Sequence, residues 1–274
     1  MNIRLFIKSI RKRIKYFFKY ARAYKNLPII KDNIATIKEL LNTEKSLIRF
    51  GDGEFILMEG ESLAFQEYDK NLARKLIEIF INEDENLLIG TLWLYYFLPS
   101  NLHFNVYTYI YNFLNKYHIK MLKYYNYNKI YYSSFISIVF AQFKKYPFAQ
   151  HYDLMRKIWD SKEITIITGD RVFNDIEYNI FENAKNINYI FTLTKNAYSN
   201  IESIRTKISK IDKNNILIFA LGPCGKVLAY EMFKKGYRVL DLGHIIKDYD
   251  LYRKHLENTI QDTEDRLESF FNPD

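Results

Sequence analysis

Ile216-Leu217-Ile218-Phe219-Ala220-Leu221-Gly222-Pro223-Cys224-Gly225-Lys226-Val227-Leu228 decides the fold class. Its first six residues are an unbroken apolar run, the pattern of a short strand covered on both faces. Gly222-Pro223 stops the strand, and a proline there suits the opening turn of a helix. Beyond it Val227, Leu228, Met232 and Phe233 recur at helical steps. The same strand–turn–helix logic repeats along the chain. Leu47–Phe50, Leu87–Leu92, Ile130–Ser133, Ile164–Thr168, Tyr189–Leu193 and Arg238–Leu242 read as further strands. Leu72, Leu76, Ile79 and Phe80 mark one intervening helix, and Ile201, Ile204, Ile208 and Ile211 another. Strands alternating with helices predict an α/β, Rossmann-like, mostly parallel sheet flanked by helices. Ligands of such sheets bind at the carboxyl ends of the strands, which directs attention to the loops after residues 50, 168, 221 and 242.

Charge is distributed unevenly. The 274-residue chain carries +8, but residues 1–25 hold nine of its 40 basic residues and no acid. The remainder has 31 basic against 32 acidic residues. A near-neutral body predicts no nucleic-acid groove. In the basic segment Ile3, Phe6, Ile7, Ile10, Ile14, Phe17 and Phe18 share one helical face, and Lys8, Arg11, Lys12, Lys15, Lys19 and Arg22 the other. The sequence therefore divides into an N-terminal basic amphipathic helix at 1–26 and one domain at 27–274. The helix is expected either on an anionic membrane surface, through residues 1–25, or packed on the domain or a second protomer. A single cysteine, Cys224, excludes an internal disulfide framework and points to a reducing compartment. Residues 86–115 lack Lys, Arg, Asp and Glu, but Pro99-Ser100-Asn101 interrupts them too early for a membrane span. They read as a buried strand followed by an aromatic helix. Tyrosines crowd residues 95–132, where rings could line a sugar site or simply fill the core.

Three loops carry candidate chemistry. Arg49-Phe50-Gly51-Asp52-Gly53-Glu54 sets two carboxylates two residues apart among glycines. Such oxygens suit Mg²⁺ or Mn²⁺, with phosphate and water completing the shell. The alternative is a polar turn in which Arg49 pairs with an acid. Gly222, Pro223, Gly225 and Lys226 open a helix whose first amides would face an anion, with Lys226 as a mobile cation; a tight turn explains them equally well. Asp241-Leu242-Gly243-His244, with Asp248 and Asp250 a turn further on, offers bases or a phosphate ligand in the order Asp248, Asp250, His244.

Arg49–Glu54 resembles the opening motif of the GT-D-type glycosyltransferase family, formerly a domain of unknown function. The likeness continues through Phe65-Gln66, Tyr68-Asp69, Phe135-Ile136-Ser137, Ile158-Trp159, Phe181–Lys185, Asn196-Ala197-Tyr198, Ala220–Pro223, Val227–Tyr230 and Gly243-His244, covering about residues 30–252. The chain departs from it at Ile138-Val139, where the family tends to have Arg-Pro. The resemblance implies transfer of a hexose from a nucleotide sugar, usually a UDP-sugar, with Asp52 and Glu54 engaging the diphosphate through Mn²⁺ or Mg²⁺. With the loop readings above, Arg49, Gly51, Asp52, Glu54, Gly222, Pro223, Gly225, Lys226 and His244 are the expected donor-binding residues. The resemblance also implies a surface-glycan, lipid-linked or glycoprotein acceptor, and the basic segment at 1–25 adds the expectation of a peripheral place at the cytoplasmic face of the cell membrane. A homo-oligomer is a further expectation. The competing expectation is a non-catalytic, membrane-associated nucleotide-binding or scaffold protein.

Overall fold

The computed structural model describes residue 11 and residues 27–93 and 101–257. The amphipathic segment expected at 1–26 lies outside them, Arg11 excepted. Among the described residues eight strands form one all-parallel sheet. In chain order these are β1 (Ile29–Ile30), β2 (Ser46–Arg49), β3 (Leu87–Thr91), β4 (Ile130–Ser133), β5 (Glu163–Gly169), β6 (Asn186–Thr192), β7 (Ile216–Ala220) and β8 (Val239–Asp241). Their order across the sheet is β1-β4-β3-β2-β8-β7-β5-β6. Among the described residues eight α-helices accompany them: α1 (Asn33–Asn42), α2 (Asp52–Met58), α3 (Lys70–Phe80), α4 (Phe104–Leu122), α5 (Phe148–Arg156), α6 (Ile201–Ile208), α7 (Gly222–Lys234) and α8 (Ile245–Leu256).

The expected strands are present, with informative differences at their ends. β2 and β3 are buried along their whole length, as apolar runs in a doubly covered sheet must be. β6 starts three residues earlier than the apolar run suggested. It is an edge strand, and polar Asn186 and Asn188 sit on its exposed positions. β1, only two residues long, pairs Ile29 and Ile30 with Ile130 and Tyr131 and has too little sequence to announce itself. α3 buries Leu72, Ala73, Leu76, Ile79 and Phe80 and starts at Asp69, whose carboxylate accepts from the Asn71 and Leu72 amides at 2.8 Å. It packs on α7. α7 packs against β7 at Gly225, where a Cβ would stand 3.6 Å from the Phe219 Cβ of that strand.

Among the described residues of the tyrosine-rich region, four tyrosines are core, while Tyr109 and Tyr127 are exposed. Tyr107, Tyr117, Tyr125 and Tyr131 are buried, and Phe80 packs edge-on to Phe50 and Tyr125 and stacks on Tyr131. Among the described residues no helix is long and apolar enough to cross a membrane.

The chain runs outward from β2 through β3 to β4, while β8 and β7 lie on the other side. The strand order therefore reverses between β2 and β8, which are adjacent through Leu47 and Leu240. A crevice opens at such a reversal, beyond the carboxyl ends of the strands. The loops after β2, β7 and β8 all end there.

Candidate functional site at the carboxyl ends of β2, β7 and β8

Arg49 closes β2 and is 7% exposed. Its Nε donates to the Asp241 carbonyl at 2.5 Å, and its Nη1 to the Ser134 carbonyl at 2.6 Å. Its backbone N–H donates to Asp241 Oδ2 at 3.1 Å, and Nη2 lies 3.6 Å from Asp241 Oδ1. Arg49 thus joins β2, β8 and the turn after β4. Its guanidinium is engaged by two backbone carbonyls and the Asp241 carboxylate. Gly243 makes room for it. This glycine has φ +48°, and a Cβ would run into the Arg49 guanidinium. Gly243→Ala is expected to lose about 2 kcal/mol or more through left-handed strain and the displaced arginine. A denaturant midpoint equal to wild type would refute this packing.

Gly51 caps α2, whose first turn contains Asp52 and Glu54. Glu54 folds back so that its Oε2 accepts from the Gly51 N–H at 2.7 Å, the N3 half of a capping box, since glycine has no side chain to supply the other half. Its Oε1 lies 3.3 Å from Lys226 Nζ, and Lys226 lies 3.1 Å from Asp241 Oδ2. Glu54, Lys226 and Asp241 are 6%, 5% and 1% exposed. The expected mobile cation is a fixed, buried one. A lysine cannot be left in a low-dielectric interior unpaired, and two carboxylates hold it there.

Asp52 is different. It begins α2, is only half-buried, and its Oδ2 accepts from the Tyr109 hydroxyl of α4. Burial raises its pKa above the ordinary carboxylate value. The Tyr109 hydrogen bond opposes that rise, and the Glu54 charge adds to it.

The other two helix starts flank this turn. Gly222, at φ +52°, opens α7, and a Cβ on it would stand 3.3 Å from the ring of half-exposed Phe65. The first amides of any helix have no carbonyl partner within it and carry partial positive charge. Pro223 lies in that first turn, where a missing N–H removes no helix bond. Cys224 is fully buried, and burial pushes its thiol up to about 12, so it fills space and is no nucleophile. His244 stands at the cap of α8 and reaches the surface. Desolvation by the protein around the ring, with the Arg49, Lys226 and Lys247 charges, lowers its pKa to about 4, so it is neutral at pH 7.

Asp248 and Asp250 are not brought to the crevice. Asp248 is wholly buried. Its Oδ2 accepts from the Val139 and Phe140 amides at 2.7 and 3.0 Å and from the Tyr152 hydroxyl at 2.7 Å, and its Oδ1 from the Ala141 amide at 3.0 Å. Asp250 accepts from the Glu177 and Tyr178 amides at 2.9 and 3.0 Å and pairs with Lys254 at 2.9 Å. Both fasten loops to α8. These contacts tie each carboxylate to its own chain.

Whether the acidic turn suits a divalent cation follows from these contacts. Among the described residues no group of three or more His, Cys, Asp or Glu gathers as a ligand set. Mg²⁺-type ions, however, need only one or two carboxylates when phosphates complete the shell. Asp52 fits that role. Glu54 does not, because both its oxygens are engaged and a buried ammonium already neutralises it.

A family model described as the glycosyltransferase GT-D fold matches residues 47–267. The chain belongs to the GT-D glycosyltransferase family. The probable glycosyl transferase Gly of Streptococcus gordonii is 29% identical over 222 residues, 81% of this chain and 33% of that protein. Glycosyltransferase GlyD of Streptococcus pneumoniae serotype 4 is 26% identical over 224 residues, 78% of this chain and 26% of that one. The chain thus spans about a third or less of these relatives. A solved domain of unknown function 1792, described as a distinct glycosyltransferase fold, superposes with a TM-score of 0.81 at 25% identity, over 87% of this chain and 86% of that one. A glycosyltransferase of that type from Streptococcus sanguinis gives 0.78 at 26%, over 84% and 86%. The all-parallel GT-D sheet and its helices are the architecture the sequence led us to expect.

Two residues of this GT-D site escaped the sequence reading. The sequence offers Asp241 only as part of a loop, yet it anchors Arg49 and Lys226 together. An acid at the end of a buried apolar strand needs a cation, and that rule alone pointed to it. Tyr109 carries no such signal. One tyrosine in a helix crowded with them reaches Asp52 only through the packing of α4 on α2.

Proposed function

We propose that this chain transfers a sugar from a nucleotide-sugar donor, a UDP-sugar by family resemblance, to an acceptor hydroxyl. The observation that carries the reading is the place of Asp52. It is a half-open carboxylate at the strand-order reversal, flanked by the starts of α7 and α8. When the glycosidic C–O bond breaks, negative charge grows on the departing diphosphate. The first-turn amides of α7 and α8 are fixed dipoles aimed at that region, and stabilisation of developing charge by such dipoles is a large catalytic term. Neutral His244 can donate a hydrogen bond to a phosphate oxygen. A Mn²⁺ or Mg²⁺ ion, when bound through Asp52, supplies further charge neutralisation at the phosphates. The names of the relatives support glycosyl transfer, and the basic segment 1–25 supports an acceptor at an anionic membrane surface, as a lipid-linked glycan would be.

A thermal-shift comparison tests this reading. UDP with Mn²⁺, at about 100 times its dissociation constant, should add about 2.7 kcal/mol of stability. Stabilisation by NAD instead would indicate a different nucleotide enzyme. Stabilisation by neither would overturn the proposal in favour of a scaffold.

A further inference from the structure

We infer that the two carboxylates of the Asp52-Gly53-Glu54 turn divide the work: Asp52 meets the ligand, and Glu54 is a positioning residue, clamped by Lys226, that sets where Asp52 stands. The inference rests on the proposed donor site, and it departs from the expectation that both acids ligate one cation. Geometry argues for it first. Asp52 and Glu54 both lie in the first turn of α2. Residues two apart on a helix, at about 100° per residue, point to nearly opposite sides. Glu54 points inward to Lys226, and Asp52 toward Tyr109 on the partly exposed side of α2.

Charge balance argues for it next. Arg49 and Lys226 face Glu54 and Asp241 in one buried cluster, two cations against two anions. A divalent ion on Glu54 would enter beside an ammonium 3.3 Å away, where like charges repel strongly. Asp52, in contrast, has the neutral Tyr109 hydroxyl as its side-chain partner, and among the described residues no cation pairs with it. An incoming cation therefore finds its unbalanced negative charge at Asp52. Finally, Glu54 is joined to the cap it supports: a Cβ on Gly51 would stand 3.3 Å from Glu54 Oε2, so the cap is shaped around this carboxylate.

The test combines cation binding with a thermal double-mutant cycle. Free Mn²⁺ is titrated by electron paramagnetic resonance, with UDP present, into full-length wild type, Asp52→Asn and Glu54→Gln. Asp52→Asn should weaken Mn²⁺ binding about 100-fold or more, the effect of removing the ligating charge. Glu54→Gln should keep Mn²⁺ affinity within about threefold while turnover falls about tenfold, because a small misplacement penalises the reaction more than binding. In the cycle, Lys226→Met should lower the Tm sharply, and Glu54→Gln/Lys226→Met should recover part of that loss, since glutamine needs no counter-charge. Equal loss of Mn²⁺ affinity in Glu54→Gln and Asp52→Asn would overturn the inference. So would a cycle without coupling. If wild type binds neither Mn²⁺ nor UDP, the proposed donor site fails, and the thermal cycle still decides the role of Glu54.

Discussion

Asp52→Asn is expected to reduce donor turnover by about 10² to 10³, the scale reported by removal of one group that stabilises transition-state charge. It should leave the fold in place. Asparagine has nearly the same shape, and its side-chain oxygen can still accept from Tyr109. The Tm should hold or rise slightly. Burial raises the Asp52 pKa, so the ionised form is the one the folded state disfavours. The sign of the pH effect follows. A carboxyl whose folded pKa exceeds its unfolded value takes up a proton more readily in the folded state. Its contribution to stability is full below the unfolded pKa and is lost as pH rises through the folded one. Cation binding runs the other way, because it needs the carboxylate. Mn²⁺ affinity in wild type should therefore decline with falling pH sooner than for an ordinary aspartate, and Asp52→Asn should lack that dependence. Steady-state kinetics, a melting curve and a pH series of Mn²⁺ titrations check the three parts. Full turnover in the variant would remove Asp52 from the reaction.

The fold was legible because its strands are covered on both faces. Runs such as Ile216–Leu221 and Leu87–Leu92 need no partner to be recognised, and the helices between them show an apolar stripe. β1 was invisible because two residues carry no period, and the start of β6 because an edge strand tolerates asparagine. The site was legible in part for the same reason. Glycines after strands mark where backbone must turn tightly, and Gly222 and Gly243 do adopt positive φ. The direction of the charged side chains was not legible. Arg49, Lys226, Asp248 and Asp250 look in the sequence like groups available to a ligand, and each is engaged by partners 72 to 192 residues away, with the Lys226–Asp241 and Asp250–Lys254 pairs closer along the chain. Sequence spacing along one element cannot report such pairs. Burial decides them, because a charge that loses water must find a partner inside the protein.

Asp248→Ala is expected to be the most destabilising change in the domain outside the apolar core. It removes the acceptor of three amides and one tyrosine hydroxyl, all buried with it. A buried donor left unpaired costs about 1 to 3 kcal/mol, so four of them, with partial relaxation, should total about 4 kcal/mol. For a domain of this size that is a Tm lower by roughly 8 to 16 °C. Asp248→Asn keeps one oxygen and should recover part of the loss. The pH dependence separates this from a simple packing defect. Burial pushes the Asp248 carboxyl up to about 6 from the ordinary 3.8, against the pull of its four donors. Wild type therefore gains stability as pH falls from about 6 toward 4, and Asp248→Ala, with nothing to protonate, does not. The gap between the two should widen over that interval. Activity should suffer indirectly. The 139–141 amides continue the turn whose Ser134 carbonyl holds Arg49, so loosening them slackens the strand junction beneath Asp52. Calorimetry at pH 5 and pH 7 measures the effect. A Tm within 2 °C of wild type at both would show that these amides find other acceptors, and that the α8 acid is not what fastens the turn.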